Sequence, residues 1–110
     1  MKLPNADRAV VDLRKLRDYC LSQEHPRGQH KARLFKRALG LTAQDVLEFQ
    51  NLLLSAARSE DAVSLGADDY GKRYALDFSV KRTSGQATIR SLWIIRRGED
   101  FPRLATCYIL

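Results

Sequence analysis

The sequence predicts an α+β fold, with three N-terminal helices packed on one face of a C-terminal antiparallel sheet of three to four strands. Two periodicities carry this expectation. Apolar residues recur at three- and four-residue spacing between residues 12 and 58, and they alternate with polar ones between residues 72 and 110. A third observation fixes the strand direction: only short Gly-containing turns separate the alternating segments, which suits antiparallel neighbours and leaves no room for crossovers. At 110 residues the chain fits one domain spanning residues 1–110, with a single core.

Taken in order, residues 1–11 read as an extended arm in which Ala9, Val10 and Val11 can pair as a short strand. Asp12 fits a helix N-cap, and Leu13, Leu16 and Cys20 follow at helical spacing until about Ser22. A second helix begins at Gly28 or Gln29, carries Ala32, Phe35 and Leu39 on one stripe, and stops at Gly40. Thr42 to Asp45 matches the capping pattern that opens a third helix, in which Val46, Phe49, Leu53 and Ala56 form the apolar face. The acidic stretch Ser59–Gly71 reads as a connection, with at most a brief strand at Ala62–Leu65. Three strands then follow: one built on Tyr74, Leu76, Phe78 and Val80, one over Thr88–Ile95, and one over Leu104–Leu110.

Alternation sorts the sheet residues onto two faces. Tyr74, Leu76, Phe78, Val80, Ile89, Trp93 and Ile95 point to the helices, joined by Ala105, Cys107 and Ile109. The open face then carries Asp77, Arg90, Thr106 and Tyr108.

A net charge of +6 and a pI near 9.7 favour a polyanionic partner. No apolar run approaches the ~20 residues needed to span a bilayer, so no membrane partner is expected. The start MKLPNADRAV lacks the apolar centre of a secretory signal, which makes cytoplasmic residence the expectation. Cys20 and Cys107 are far apart in sequence and match no metal-ligand spacing. Buried free thiols are expected, with neither metal nor cofactor.

The chemistry concentrates in Ser22–Leu39, which holds His25 and His30 together with Arg27, Lys31, Arg33, Lys36 and Arg37. Histidine exchanges protons near neutrality, and adjacent cations hold phosphate. If this basic helix lies across the uncovered side of the sheet, His25 or His30 can act as general base on a ribose 2′-hydroxyl. Lys31 and Arg90 would then stabilise the phosphorane, with Thr106 and Tyr108 positioning phosphate or moving a proton. Arg27, Arg33, Arg73, Asp77 and Arg103 complete the set as substrate-binding candidates. Each has a plainer reading: His25 before Pro26 shapes a loop, His30 is a surface residue, Asp77 and Arg90 form a cross-strand ion pair, and Tyr108 packs.

Four stretches carry a resemblance: LPNADRAVV, LRDYCLSQEHPRGQHKARLF, YGKRYALDF and IRSLWIIRRGEDFPRLATCYIL. The combination HP-x-G-x-x-KA-x-x-F with the ending FPRL-x-T-x-Y resembles a small bacterial domain of undefined function. That domain occurs alone and at the C-terminal tip of polymorphic and phage-associated toxins. The wider group it is similar to is the barnase–EndoU–colicin–RelE ribonuclease fold. The resemblance implies a metal-independent endoribonuclease toxin acting on RNA, held in check by a small acidic antitoxin or immunity protein. It supports His25, Gly28, Lys31, Arg90, Thr106 and Tyr108 as pattern positions, and the pattern is looser at His30. The alternative is a non-catalytic module that binds RNA or a protein.

Overall fold

Phe35 and Phe49 meet edge to face, ring centroids 5.1 Å apart, where two helices converge on the sheet. They belong to a core of 21 buried residues to which all four strands contribute, including Leu16, Leu53, Leu76, Ile89, Trp93 and Cys107. A computed structural model describes all of residues 1–110. The order is α1 (Leu13–Lys15), α2 (Gln29–Leu39), α3 (Val46–Ser59), β1 (Ala62–Asp68), β2 (Gly71–Arg82), β3 (Gly85–Arg96) and β4 (Arg103–Ile109). The strands form one antiparallel sheet in the order β1-β2-β3-β4.

Local chemistry explains the helix ends. The Asp12 carboxylate accepts the Arg14 amide at 2.9 Å, capping α1. α1 runs on as a π-helical turn, Leu16–Cys20, closed by the Leu21 amide donating to Leu16 O at 2.8 Å. α2 ends on Gly40, whose left-handed φ of 67° lets its amide reach Lys36 O. Thr42 and Asp45 form the expected capping box, and a 3₁₀ turn at Ala43–Asp45 leads into α3.

The sheet has four strands, the upper end of the three to four expected, and the reading of Ser59–Gly71 as a connection is corrected. Ala62–Asp68 pairs with β2 along its whole length, apart from a bulge between Ser64 and Gly66. No alternation marked this strand because the helices do not cover it: Ala62 is buried and every later residue is exposed. The N-terminal arm also differs from expectation. It contributes a 3₁₀ turn at Ala6–Arg8 and two single bridges, Lys2 to Asp61 and Val10 to Arg103, and no strand.

Face assignment held along β2, where Tyr74, Leu76, Phe78 and Val80 are buried, and along β3 at Ile89 and Trp93. Ser91 shares that inner face and is fully buried; its hydroxyl donates to Leu76 O at 2.8 Å and accepts the Trp93 indole N–H at 2.9 Å. In β4 a register shift lets Thr106 oppose Leu92 while Leu104 opposes Trp93. Ala105 is the extra residue, and Leu104 takes the inward place expected of it.

The largest correction concerns α2. It does not cross the uncovered side of the sheet. Ala32, Phe35 and Leu39 are its buried stripe, and they seat it on the same side as the other helices, over β3 and β4. No helix is long and apolar enough to cross a membrane.

Candidate active site

β4 is an edge strand, and α2 packs over β3 and β4 on the covered face. From there Lys31 extends past the strand so that its Nζ donates to Thr106 Oγ1 at 3.3 Å. The same ammonium stands 5.5 Å from the Tyr108 ring centroid and 5.9 Å from that of Tyr19. Attraction to two ring faces holds the cation in place while leaving donors free. A hollow of about 400 Å³ opens here, lined by Lys15, Tyr19, Lys31, Ala105 and Thr106.

Register brings the open-face residues alongside. Asp77, Arg90 and Tyr108 form one row across β2, β3 and β4, and Ala75, Leu92 and Thr106 form the next. The Arg90 guanidinium is gripped by Asp77 through two bonds of 2.8 Å, Nε to Oδ1 and Nη2 to Oδ2. This bond and the opposite charge raise the Arg90 pKa, with Tyr108 adding to the effect. Bonded to Arg90, the Asp77 carboxyl lies below the usual carboxylate range. Nη1 is the guanidinium nitrogen that Asp77 does not use. Lys31, Arg90, Thr106 and Tyr108 therefore gather at one place, although 75 residues separate Lys31 from Thr106.

Neither histidine hydrogen-bonds to that group, and His25 meets it through Tyr19. His25 packs against Tyr19, ring centroids 4.7 Å apart, and its Nδ1 accepts the amides of Arg27 at 3.0 Å and Gly28 at 3.1 Å. That nitrogen is committed to the turn before α2. Gly28 belongs to the same device: a Cβ on it would press into the Tyr19 carbonyl. His30 is exposed on the far flank of α2, about 100° round the helix from Lys31. Arg27 and Arg33 are exposed as well, with Arg33 bonded to Gln29 at 3.2 Å. Arg73 is bonded to Asp68, and Arg103 to Glu99 with Phe101 stacked beneath its guanidinium at 4.9 Å.

Lys15 is the member that sequence reasoning missed. Its Nζ donates to Ala105 O at 3.0 Å and Leu104 O at 3.4 Å, the carbonyls at the β4 bulge. Lys15 and Tyr19 are four residues apart and so flank the buried Leu16 and Cys20 stripe, a spacing that pointed to one shared face. Behind this wall lie Cys20 and Cys107, both free and buried. A hydrogen bond with Cys20 and burial together push the Cys107 thiol well up, keeping it protonated. No three His, Cys, Asp or Glu side chains group together so as to hold a metal ion.

Fold and site together define an α+β protein with a cation- and hydroxyl-lined hollow at the edge of an antiparallel sheet. Its family is recognised over residues 2–110: the chain belongs to a family described as a domain of unknown function (DUF6883). No curated protein matches it.

Proposed function

We propose that this chain is an endoribonuclease that cleaves RNA phosphodiesters by general acid–base catalysis with its own side chains and no metal. The observation that carries this reading is the adjacency of Lys31 to Thr106 and the Tyr108 ring, with Arg90 beside Tyr108 in the next strand. Lys31 Nζ and Arg90 Nη1 balance the charge that grows on the phosphorane oxygens, and Thr106 Oγ positions one of them. The Tyr108 phenol gives its proton to the departing 5′ oxygen and takes one from the attacking 2′-hydroxyl, so the ring returns to its starting state. The products are a 2′,3′-cyclic phosphate and a 5′-hydroxyl. Acid–base help of this kind supplies about 10²–10⁴-fold in rate. His25 supports α2 and takes no proton from substrate.

The net charge of +6 suits RNA, and it equally suits a small acidic inhibitor that covers the open face in a toxin–antitoxin or polymorphic-toxin setting. Expression in bacteria should arrest growth, and Lys31→Ala or Arg90→Ala should relieve the arrest. Full toxicity in both variants would refute the site. One observation favours a second reading, a non-catalytic binding module. The Asp77 carboxylate occupies two of the three Arg90 nitrogens and repels an incoming phosphate. Purified protein that binds RNA with steep salt dependence and never cuts it would support that module.

A further inference from the structure

A second hollow, of about 480 Å³, shares Lys15 and Ala105 with the first and extends along the open face to the far end of the sheet. Its cations are Arg73, Arg96, Arg97 and Arg103 beside Lys15. Arg73 and Arg103 are each bonded to a carboxylate of this chain, whereas Arg96 and Arg97 are exposed and form no such ion pair. Ile94 gives it an apolar, nearly buried side chain at its base. At its outer wall stands Tyr70, 72% exposed, the most exposed of the large apolar or aromatic side chains.

Tyr70 is exposed without being loose. Asp68 Oδ1 accepts the Tyr70 amide at 2.8 Å and the Gly71 amide at 3.2 Å, and Tyr70 O accepts the Arg97 amide at 3.0 Å. The backbone is pinned on both sides by groups other than the ring. An aromatic held ready in solvent beside unpaired guanidinium groups is what a stacked base and its flanking phosphates require.

We infer that this second hollow is a binding subsite for single-stranded RNA flanking the scissile phosphate, with Tyr70 as the stacking platform and Arg96 and Arg97 as phosphate contacts. The inference rests on the ribonuclease reading of the first hollow and adds the substrate class: a strand with unpaired bases, several nucleotides long. Duplex RNA has no free base face to offer Tyr70.

The test uses the full chain and a 12-nucleotide 2′-O-methyl RNA, which binds without being cut, carrying one 2-aminopurine. Tyr70→Ala should weaken binding about tenfold and abolish the fluorescence quench, while Tyr70→Phe stays within threefold of the parent. The Arg96→Gln, Arg97→Gln double variant should flatten the salt slope by about 1.4. A matched duplex should bind with no dependence on Tyr70. Melting temperatures confirm that each variant is folded. Unchanged affinity in Tyr70→Ala would overturn the subsite and leave the ribonuclease reading standing. Wild-type protein that binds no RNA at low salt would overturn both. Polyglutamate competing as well as RNA of equal charge would overturn the subsite in favour of an acidic protein ligand.

Discussion

Replacing Lys31 by Met separates a structural lysine from a working one. Lys31 makes one hydrogen bond, of 3.3 Å to Thr106, and faces two tyrosine rings at 5.5 and 5.9 Å. Each such cation–ring contact contributes about 0.5–1 kcal/mol at a site with solvent access. A methionine keeps the apolar stem over both rings and adds its own sulfur–ring contact, so the net loss of stability should stay under about 1 kcal/mol. In a 110-residue chain that lowers the melting temperature by less than about 8 °C. The loss of a preorganised cation from a developing phosphorane is larger, about 10²–10³-fold in rate, or about 2.7–4 kcal/mol. The assay pairs a thermal melt with cleavage of end-labelled RNA in EDTA, at a temperature where both proteins are more than nine-tenths folded. Cleavage within threefold of wild type would refute a catalytic Lys31. A melting shift large enough to account for the lost activity would refute the separation.

Other consequences follow from the same geometry. Ser91→Ala strands the buried Trp93 indole N–H and the Leu76 carbonyl, and should cost about 1–3 kcal/mol, read by denaturant titration with Trp93, the one tryptophan, as fluorophore. Gly28→Ala drives a methyl against the Tyr19 carbonyl and should destabilise by about 1–3 kcal/mol, whereas a stability unchanged within 0.5 kcal/mol (on the order of assay error) would show that the π-turn yields freely. For His25, Asn can replace Nδ1 as acceptor for the following amides; His25→Asn should therefore keep more stability than His25→Ala, and both should keep cleavage when folded. If cleavage disappears in a fully folded His25→Asn, the histidine is the base after all. Asp18, Asp68, Asp77, Glu99 and Asp100 are all held below the usual carboxylate range by bonded arginines. Their folded-state values lie below the unfolded ones, so their contribution is complete above about pH 4–4.5 and drains as pH falls through the folded values. Melting temperature should be flat from pH 7 to 5 as far as these groups are concerned, and fall below about pH 4. Neutralising Asp77 (Asp77→Asn) should lessen that fall.

Much of this fold could be read where burial imposes a period. Leu16 and Cys20, then Ala32, Phe35 and Leu39, repeat at helical spacing because that side of each segment is buried, whereas Leu13, expected with them, is half-buried and lies outside the core. β2 alternates because the helices cover a single face. β1 escaped because nothing covers it, so its order comes from hydrogen bonds to β2, which leave no hydropathy trace. The bulge at Ala105 was equally silent, since Leu104, Ala105 and Cys107 are all apolar and either parity reads well. In the site, Arg90, Thr106 and Tyr108 were legible from strand parity alone. Lys31 joined them by passing round the sheet edge from the covered side, a route that depends on tertiary placement. His25 drew notice for its chemistry, yet the turn of Pro26–Gly28 uses its acceptor nitrogen for backbone amides. Lys15 was hidden because its partners are backbone carbonyls exposed by the bulge.

The most direct test of the hollow at the β4 edge is to incubate the purified protein with total RNA in EDTA and map the ends of the fragments. Fragments ending in 2′,3′-cyclic phosphate and beginning with a 5′-hydroxyl, absent when Lys31 or Arg90 is replaced, are the predicted result. Intact RNA, or fragments bearing 5′-phosphates, would contradict the assignment.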